Sequence, residues 1–193
     1  MSKSPLTRNE MHHYEKSARS LRTRAGVGPH DPFDPLAFLF NLGVILQYPD
    51  EVTVLPQELA TSIGELNAKE WSGMGLELPT GELYVVLNHN QTLERARVTL
   101  LEEVAHQHHG HTPVGLSPLG RAEYLPDQER EAKFTAAAAL LPSKVVAQAV
   151  YRGDSAAVIA KTYGASVELV EMRIKTLNLW DYYGHDDAAQ AAA

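Results

Sequence analysis

The chain of 193 residues has no cysteine. That absence removes disulfide frameworks, thiolate zinc sites, iron–sulfur clusters and thiol nucleophiles together, and it fits a reducing compartment. No apolar run approaches the roughly 18–20 residues of a membrane-spanning helix. The N-terminal stretch lacks the apolar central block of a secretory signal. A protein of the cytoplasm, with no membrane partner, is the resulting expectation. Positive charge is also scarce: 17 basic minus 24 acidic side chains gives −7. That balance argues against a uniformly basic nucleic-acid binder.

What is present is ordinarily globular, with 44% hydrophobic and 21% charged residues. The length fits one compact domain, or one domain with a small appendage. Charge is uneven along it. Residues 1–30 carry six basic groups (Lys3, Arg8, Lys16, Arg19, Arg22, Arg24) against Glu10 and Glu15, so that segment is +4 and the remainder −11. The chain divides into a basic, partly disordered arm over 1–30, a core over 31–142, a helical segment over 143–183 and a low-complexity, disordered tail over 184–193.

Within the arm, Tyr14 to Arg24 has the character of a helix. A breaker cluster from Gly26 to Pro32 follows. Asp34 and Pro35 then suit the cap and first turn of an apolar helix running to Leu42. Val44 to Gln47 and Val52 to Leu55 read as short strands, and Pro56 to Leu66 as a helix. Gly75 to Leu78 and Leu83 to Asn88 read as a hairpin across Pro79-Thr80-Gly81. Thr92 caps a helix to His108, and Glu129 to Leu141 forms another, stopped by Pro142. Gly110 to Pro118 reads as a loop. Three short helices follow (Val145 to Tyr151, Ser155 to Tyr163, Val167 to Leu177) at helix–turn–helix spacing.

The segment richest in chemistry is Glu102-Glu103-Val104-Ala105-His106. Positions 102 and 106 lie about 40° apart on a helix, one turn from each other, so a carboxylate and an imidazole can grip one divalent ion. Glu103 lies about 100° around the axis, the offset by which H-E-x-x-H metalloproteases bring a glutamate against the attacking water. Taken by themselves, such residues are also an ordinary solvated helix face. Beyond the helix, His108, His109 and His111 are expected in solvent at its end, where the dipole favours imidazolium. Gly110 lets the chain turn back, so His111 is a possible additional ligand. His12 and His13 sit in the basic arm with no assigned role, and His89 in a loop.

The run Arg95-Ala96-Arg97-Val98-Thr99-Leu100-Leu101 leading into Glu102-Glu103-Val104-Ala105-His106 resembles the ImmA/IrrE family of metallopeptidases, whose helix reads roughly R-x-R-F-T-L-A-H-E-L-G-H. Leu83 to Asn88 with Glu94-Arg95 resembles the family's strand, asparagine and arginine. Glu129-Arg130-Glu131-Ala132-Lys133-Phe134 through Leu140-Leu141-Pro142 resembles its second helix, and Asp34-Pro35-Leu36-Ala37 its opening segment. The resemblance implies an α+β, zincin-like minimal core with a small sheet, followed by a helix–turn–helix-like helical appendage. It implies Glu102, His106 and Glu131 as ligands of one divalent metal ion and Glu103 as general base. It implies a metallo-endopeptidase whose protein substrate is a helix–turn–helix transcriptional repressor.

Two departures stand out. Glu102 occupies the first histidine position, and Lys133 replaces an asparagine. Two carboxylates with one imidazole make a harder donor set than zinc usually has, one that suits manganese or iron as well. A decayed, non-catalytic interaction module is the alternative. A DNA-binding regulator is a second, but Glu168 and Glu171 on the last helix oppose a phosphate-lined groove. Glu131 taken alone reads as a first-turn glutamate held by the helix N-terminus.

Overall fold

A computed structural model describes residues 5–52, 71–116 and 122–183. The expected helix over 56–66 and tail over 184–193 lie outside them, as do residues 53–55 of the expected strand, whose first residue, Val52, is not extended into a strand. The described elements are helices α1 (Arg8–Ala25), α2 (Leu39–Leu42), α3 (Leu93–His109), α4 (Pro126–Leu140), α5 (Ser143–Tyr151), α6 (Ala156–Tyr163) and α7 (Val167–Thr176). Five strands accompany them: β1 (Val44–Gln47), β2 (Gly73–Glu77), β3 (Leu83–Leu87), β4 (Gly115–Leu116) and β5 (Ala122–Glu123). The fold is α+β, with a small mixed sheet on a helical body.

The sheet has the order β1-β3-β2. β3 pairs parallel with β1 and antiparallel with β2, with Glu77 opposite Leu83 across the expected turn. β3 alternates cleanly. Leu83, Val85 and Leu87 point into the main core, while Tyr84 and Val86 pack with Val52, Trp71 and Met74 on the other face. β3 is therefore central. Both its sides are taken, so it cannot add a further strand, whereas among the described residues β2 is an edge.

Helix α3 starts where Thr92 accepts a hydrogen bond from the Arg95 amide, and ends at Gly110 in a left-handed conformation. One face lies on β2 and β3, the other on α4. Ala136 to Ala139 are all buried. Side chains this small let α4 pack closely against α1, α3 and α7. The apolar helix expected from Leu36 to Leu42 is instead a 3-10 turn, Pro35–Ala37, followed by α2; Asp34 does cap the turn, accepting from the Leu36 amide.

The largest departure concerns the basic segment. Residues 8–25 are a single helix with Ala18, Leu21 and Ala25 in the main core. Arg22 is fully buried; its guanidinium donates to Ala139 O at 2.7 Å and to the carbonyls of Gly28 and Asp31. Charge content suggested an arm because the side chains that anchor the helix are mostly small. The three C-terminal helices likewise join the same core through Val146, Ile159, Val170 and Ile174.

No single described helix is long and apolar enough to cross a membrane. The pair α4–α5, bent by 55°, reaches that length only jointly, and the apolar side chains of its run from Ala136 to Leu141 are buried in the core.

Candidate metal centre and active-site cleft

Arg97, the second arginine of the helix motif, and Asn88 are scaffolding. Arg97 donates from Nε and Nη2 to the two Asp34 oxygens at 3.2 and 3.1 Å, and from Nη1 to Gly164 O at 3.2 Å. It thus ties α3 to the 3-10 turn and to the α6–α7 corner. Buried Asn88 donates to Trp71 O at 2.7 Å and accepts from the Asn90 amide at 2.8 Å, which fixes the turn leading into α3.

Glu103 sits in a cleft of about 440 Å³ between β2, the end of α3 and the side chains of His111, Pro113 and Tyr124. Met74, Leu76, Leu83, Pro113 and Tyr124 give it apolar walls, and Glu77, Gln107 and His111 join Glu103 as its polar groups. The Glu103 side chain is 6% exposed and lies directly on the β2 backbone. A Cβ at Gly75 would stand 2.7 Å from Glu103 Oε2, and one at Gly73 would stand 2.8 Å from Thr99 Cγ2. The two glycines permit α3 to approach the strand this closely.

Glu131 is the hub of a histidine cluster. Its Oε1 lies 2.6 Å from His13 Nε2 and 3.4 Å from His109 Nδ1, and its Oε2 lies 3.0 Å from His111 Nε2. His111 Nδ1 in turn lies 3.0 Å from His106 Nδ1. His106 is buried and its ring stacks on Tyr124, with centroids 3.8 Å apart. His109 Nε2 lies 2.9 Å from Thr135 Oγ1. His111 therefore belongs to both places: it lines the cleft beside Glu103 and touches Glu131.

Charge states follow from this packing. Burial pushes His109 down to about 4, against the pull of Glu131 in the other direction, so the ring is neutral at neutral pH. Burial would raise Glu131, but the hydrogen bond from His111, the His109 charge and the hydrogen bond from His13 outweigh it and hold the carboxyl below its ordinary value. An ionised carboxylate beside the neutral His109 ring is a pair of metal donors. His13, His109 and Glu131 each offer a ligand atom, all within 4.8 Å of one another. Nothing in the donor chemistry opposes a divalent ion there.

The structure distributes the sequence-derived residues as follows. Glu131 and His111 meet directly, and His106 joins them through His111. Glu103 shares the cleft with His111. Glu102 lines a separate cavity of about 230 Å³, together with Lys133, Arg95 and Glu168. Three expectations are corrected. His109 and His111 are not solvated at a helix end, since their side chains are 8% and 5% exposed. Glu131 lies five residues beyond the start of α4, past the first turn, and is held by histidines. His13 is not incidental, because α1 carries it to Glu131. The capping box of Thr7 and Glu10 was a local signal that α1 begins there, but its seating comes from the rings of Tyr14 and Phe134, far apart in sequence. Those two rings stack at 5.9 Å and seat α1 on α4.

Residues 57–175 match the Peptidase_M78 family, described as the IrrE N-terminal-like domain. The chain belongs to this family. The match takes in β2, β3, α3 and α4, hence Glu103, His106, His109, His111 and Glu131, but not α1. A comparison with curated proteins finds no match. Among solved structures, a Mycobacterium tuberculosis transcriptional regulator is similar at a TM-score of 0.52 and 16% identity, covering 84% of this chain and 46% of that one. The chain thus spans about half of that regulator's length, and the likeness is one of fold.

Proposed function

We propose that this IrrE-type chain is a metal-dependent endopeptidase that acts in the cytoplasm on a protein substrate. The observation that carries this reading is the placement of Glu103: a buried carboxylate on the floor of an apolar cleft, against an edge strand, with His111 linking that cleft to the Glu131 hub. An extended peptide pairs with β2, an edge strand among the described residues, and lays apolar side chains against Met74, Leu76 and Tyr124. Glu103 takes the proton from the attacking water and passes it to the leaving amine. A divalent ion bound beside this cleft would supply the Lewis acid that polarises the scissile carbonyl. Glu131 is its anchor. The family pattern names Glu102 and His106 as its other ligands, with His111 as an additional one, but the ligand atoms that gather within 4.8 Å of one another are those of His13, His109 and Glu131, and Glu102 lines a different cavity, so Glu102 is not assigned to the ion. The ion is zinc, or manganese or iron if both carboxylates ligate. By resemblance to the family, the substrate class is a helix–turn–helix repressor.

The decisive variant is Glu103→Gln. Cleavage of a denatured or repressor-type protein should fall by a factor on the order of 100 or more while metal content stays unchanged. Unchanged cleavage refutes the mechanism.

One observation favours a second reading, a non-catalytic interaction module. Glu102 replaces the family's first histidine and lines a cavity other than the Glu103 cleft. Protein purified without a histidine tag, then supplemented, would hold only a trace of any transition metal if that reading is right. DNA binding by α7 has less in its favour, because Arg173 on that helix is buried and donates to Leu141 O at 3.0 Å. Affinity for duplex DNA that falls steeply with salt would be its signature.

A further inference from the structure

The position of His13 has a chemical meaning that a purely structural contact lacks. Its imidazole is 55% exposed, yet Nε2 points at Glu131 Oε1, the same oxygen that faces His109 Nδ1. Two nitrogens converging on one carboxylate oxygen leave a common point between them. Two ligands of a tetrahedral zinc ion at about 2.0–2.1 Å from the metal stand about 3.3 Å apart. The His109–Glu131 separation of 3.4 Å already has that value. The His13–Glu131 separation of 2.6 Å is that of a hydrogen bond. It must open by roughly 0.7 Å, a small swing for a half-exposed side chain.

The surroundings prepare both buried members for ligation. Thr135 Oγ1, 2.9 Å from His109 Nε2, can accept its proton and leave Nδ1 with a free lone pair. His111 donates from Nε2 to Glu131 Oε2, so that oxygen is held and Oε1 is turned toward the two imidazoles. His106 completes a chain by meeting His111 Nδ1. His106 and His111 thus act as the outer layer of the site, and the atoms that meet are His13 Nε2, His109 Nδ1 and Glu131 Oε1.

We propose that the metal ion is held by His13, His109 and Glu131, so that a histidine from α1, outside the matched family domain, does the work of the missing first histidine of the helix motif. The donor set becomes two imidazoles and one carboxylate, the usual composition of a catalytic zinc site with one position open. Zinc is then preferred over manganese, whereas a site of Glu102, His106 and Glu131 would move that preference toward the harder ion. The assignment rests on the proposed function only in taking Glu131 as the anchor of an ion.

The test is zinc and manganese binding by the full chain, with a competing chelator for affinity and the visible spectrum of the cobalt-loaded protein for coordination. His13→Ala removes an exposed side chain and should leave the far-ultraviolet circular dichroism intact. It should weaken zinc by a factor on the order of 100 and change the cobalt spectrum, as should His109→Asn. Glu102→Gln should change neither. Zinc affinity and cobalt spectrum unaltered in His13→Ala, or lost in Glu102→Gln, overturn the assignment and leave the peptidase reading standing. A wild-type chain that binds neither zinc nor cobalt overturns both.

Discussion

At the scale of single residues, the constraint nearest the cleft falls on Gly75. The backbone of β2 and the carboxylate of Glu103 share a space in which even a methyl group would stand 2.7 Å from Oε2. The obstructing atom is the end of a flexible side chain, so Gly75→Ala should cost stability less than about 1 kcal/mol. It should nevertheless displace the carboxylate from the cleft floor. Turnover is expected to drop on the order of tenfold or more, with zinc affinity and thermal midpoint nearly unchanged. Steady-state kinetics beside a melting curve separate the two effects. Full activity in Gly75→Ala would mean that the observed Glu103 rotamer is not the working one.

At the scale of elements, α1 decides whether His13 reaches Glu131. Its start is a capping box in which the Thr7 side chain accepts from the Glu10 amide and Glu10 accepts from the Thr7 amide at 2.7 Å. The Thr7 hydroxyl, which donates to Glu10 Oε2 at 2.6 Å, and the Thr7 amide together hold the Glu10 carboxyl below its ordinary 4.5. A carboxyl with a lowered folded value stabilises above the unfolded value and loses that contribution as pH falls through the folded one. Thr7→Ala should therefore cost about 1 kcal/mol near neutral pH, and less once the medium is acid enough to protonate Glu10 in both states. Denaturant midpoints of both proteins across that range would show it. Cap and periodicity made α3, α4 and the three last helices legible in the sequence, and hydrophobic alternation did the same for the β2–β3 hairpin. Glu103, His111 and Glu131 were legible too, because spacing along a helix and a glycine turn are local properties. The gathering of His13 and His109 was not. It depends on how α1 crosses α4, and that crossing is written in dispersed contacts: Tyr14 on Phe134, Arg130 Nη2 3.7 Å from Glu10 Oε1, and Arg22 on Ala139 O. None of these forms a periodic pattern. The central place of β3 was equally hidden, since strand order is a non-local choice.

At the scale of the whole molecule, the C-terminal helices and the N-terminal helix are joined by one buried ion pair. The Arg173 guanidinium donates to Glu15 and to Leu141 O, while Glu15 also accepts from the Ser143 amide at 3.2 Å. Their side chains are 4% and 12% exposed. Removing one member leaves the other charge buried, which typically costs about 3–5 kcal/mol. Arg173→Ala should lower the urea midpoint accordingly, and Glu15→Leu combined with Arg173→Leu should recover much of the loss. A double variant as unstable as the single one would show that packing, not charge, holds the corner. Neither change should alter zinc affinity in a fold that survives.

His13 and Glu131 are separated by 118 positions. Closing so long a loop is a late event for a chain made from its N-terminus, since the reward comes only after α4 exists and has packed. A growing polypeptide on the ribosome therefore cannot bring His13 to Glu131 until α4 has emerged, and any ion that needs both residues arrives after synthesis of the core is nearly done.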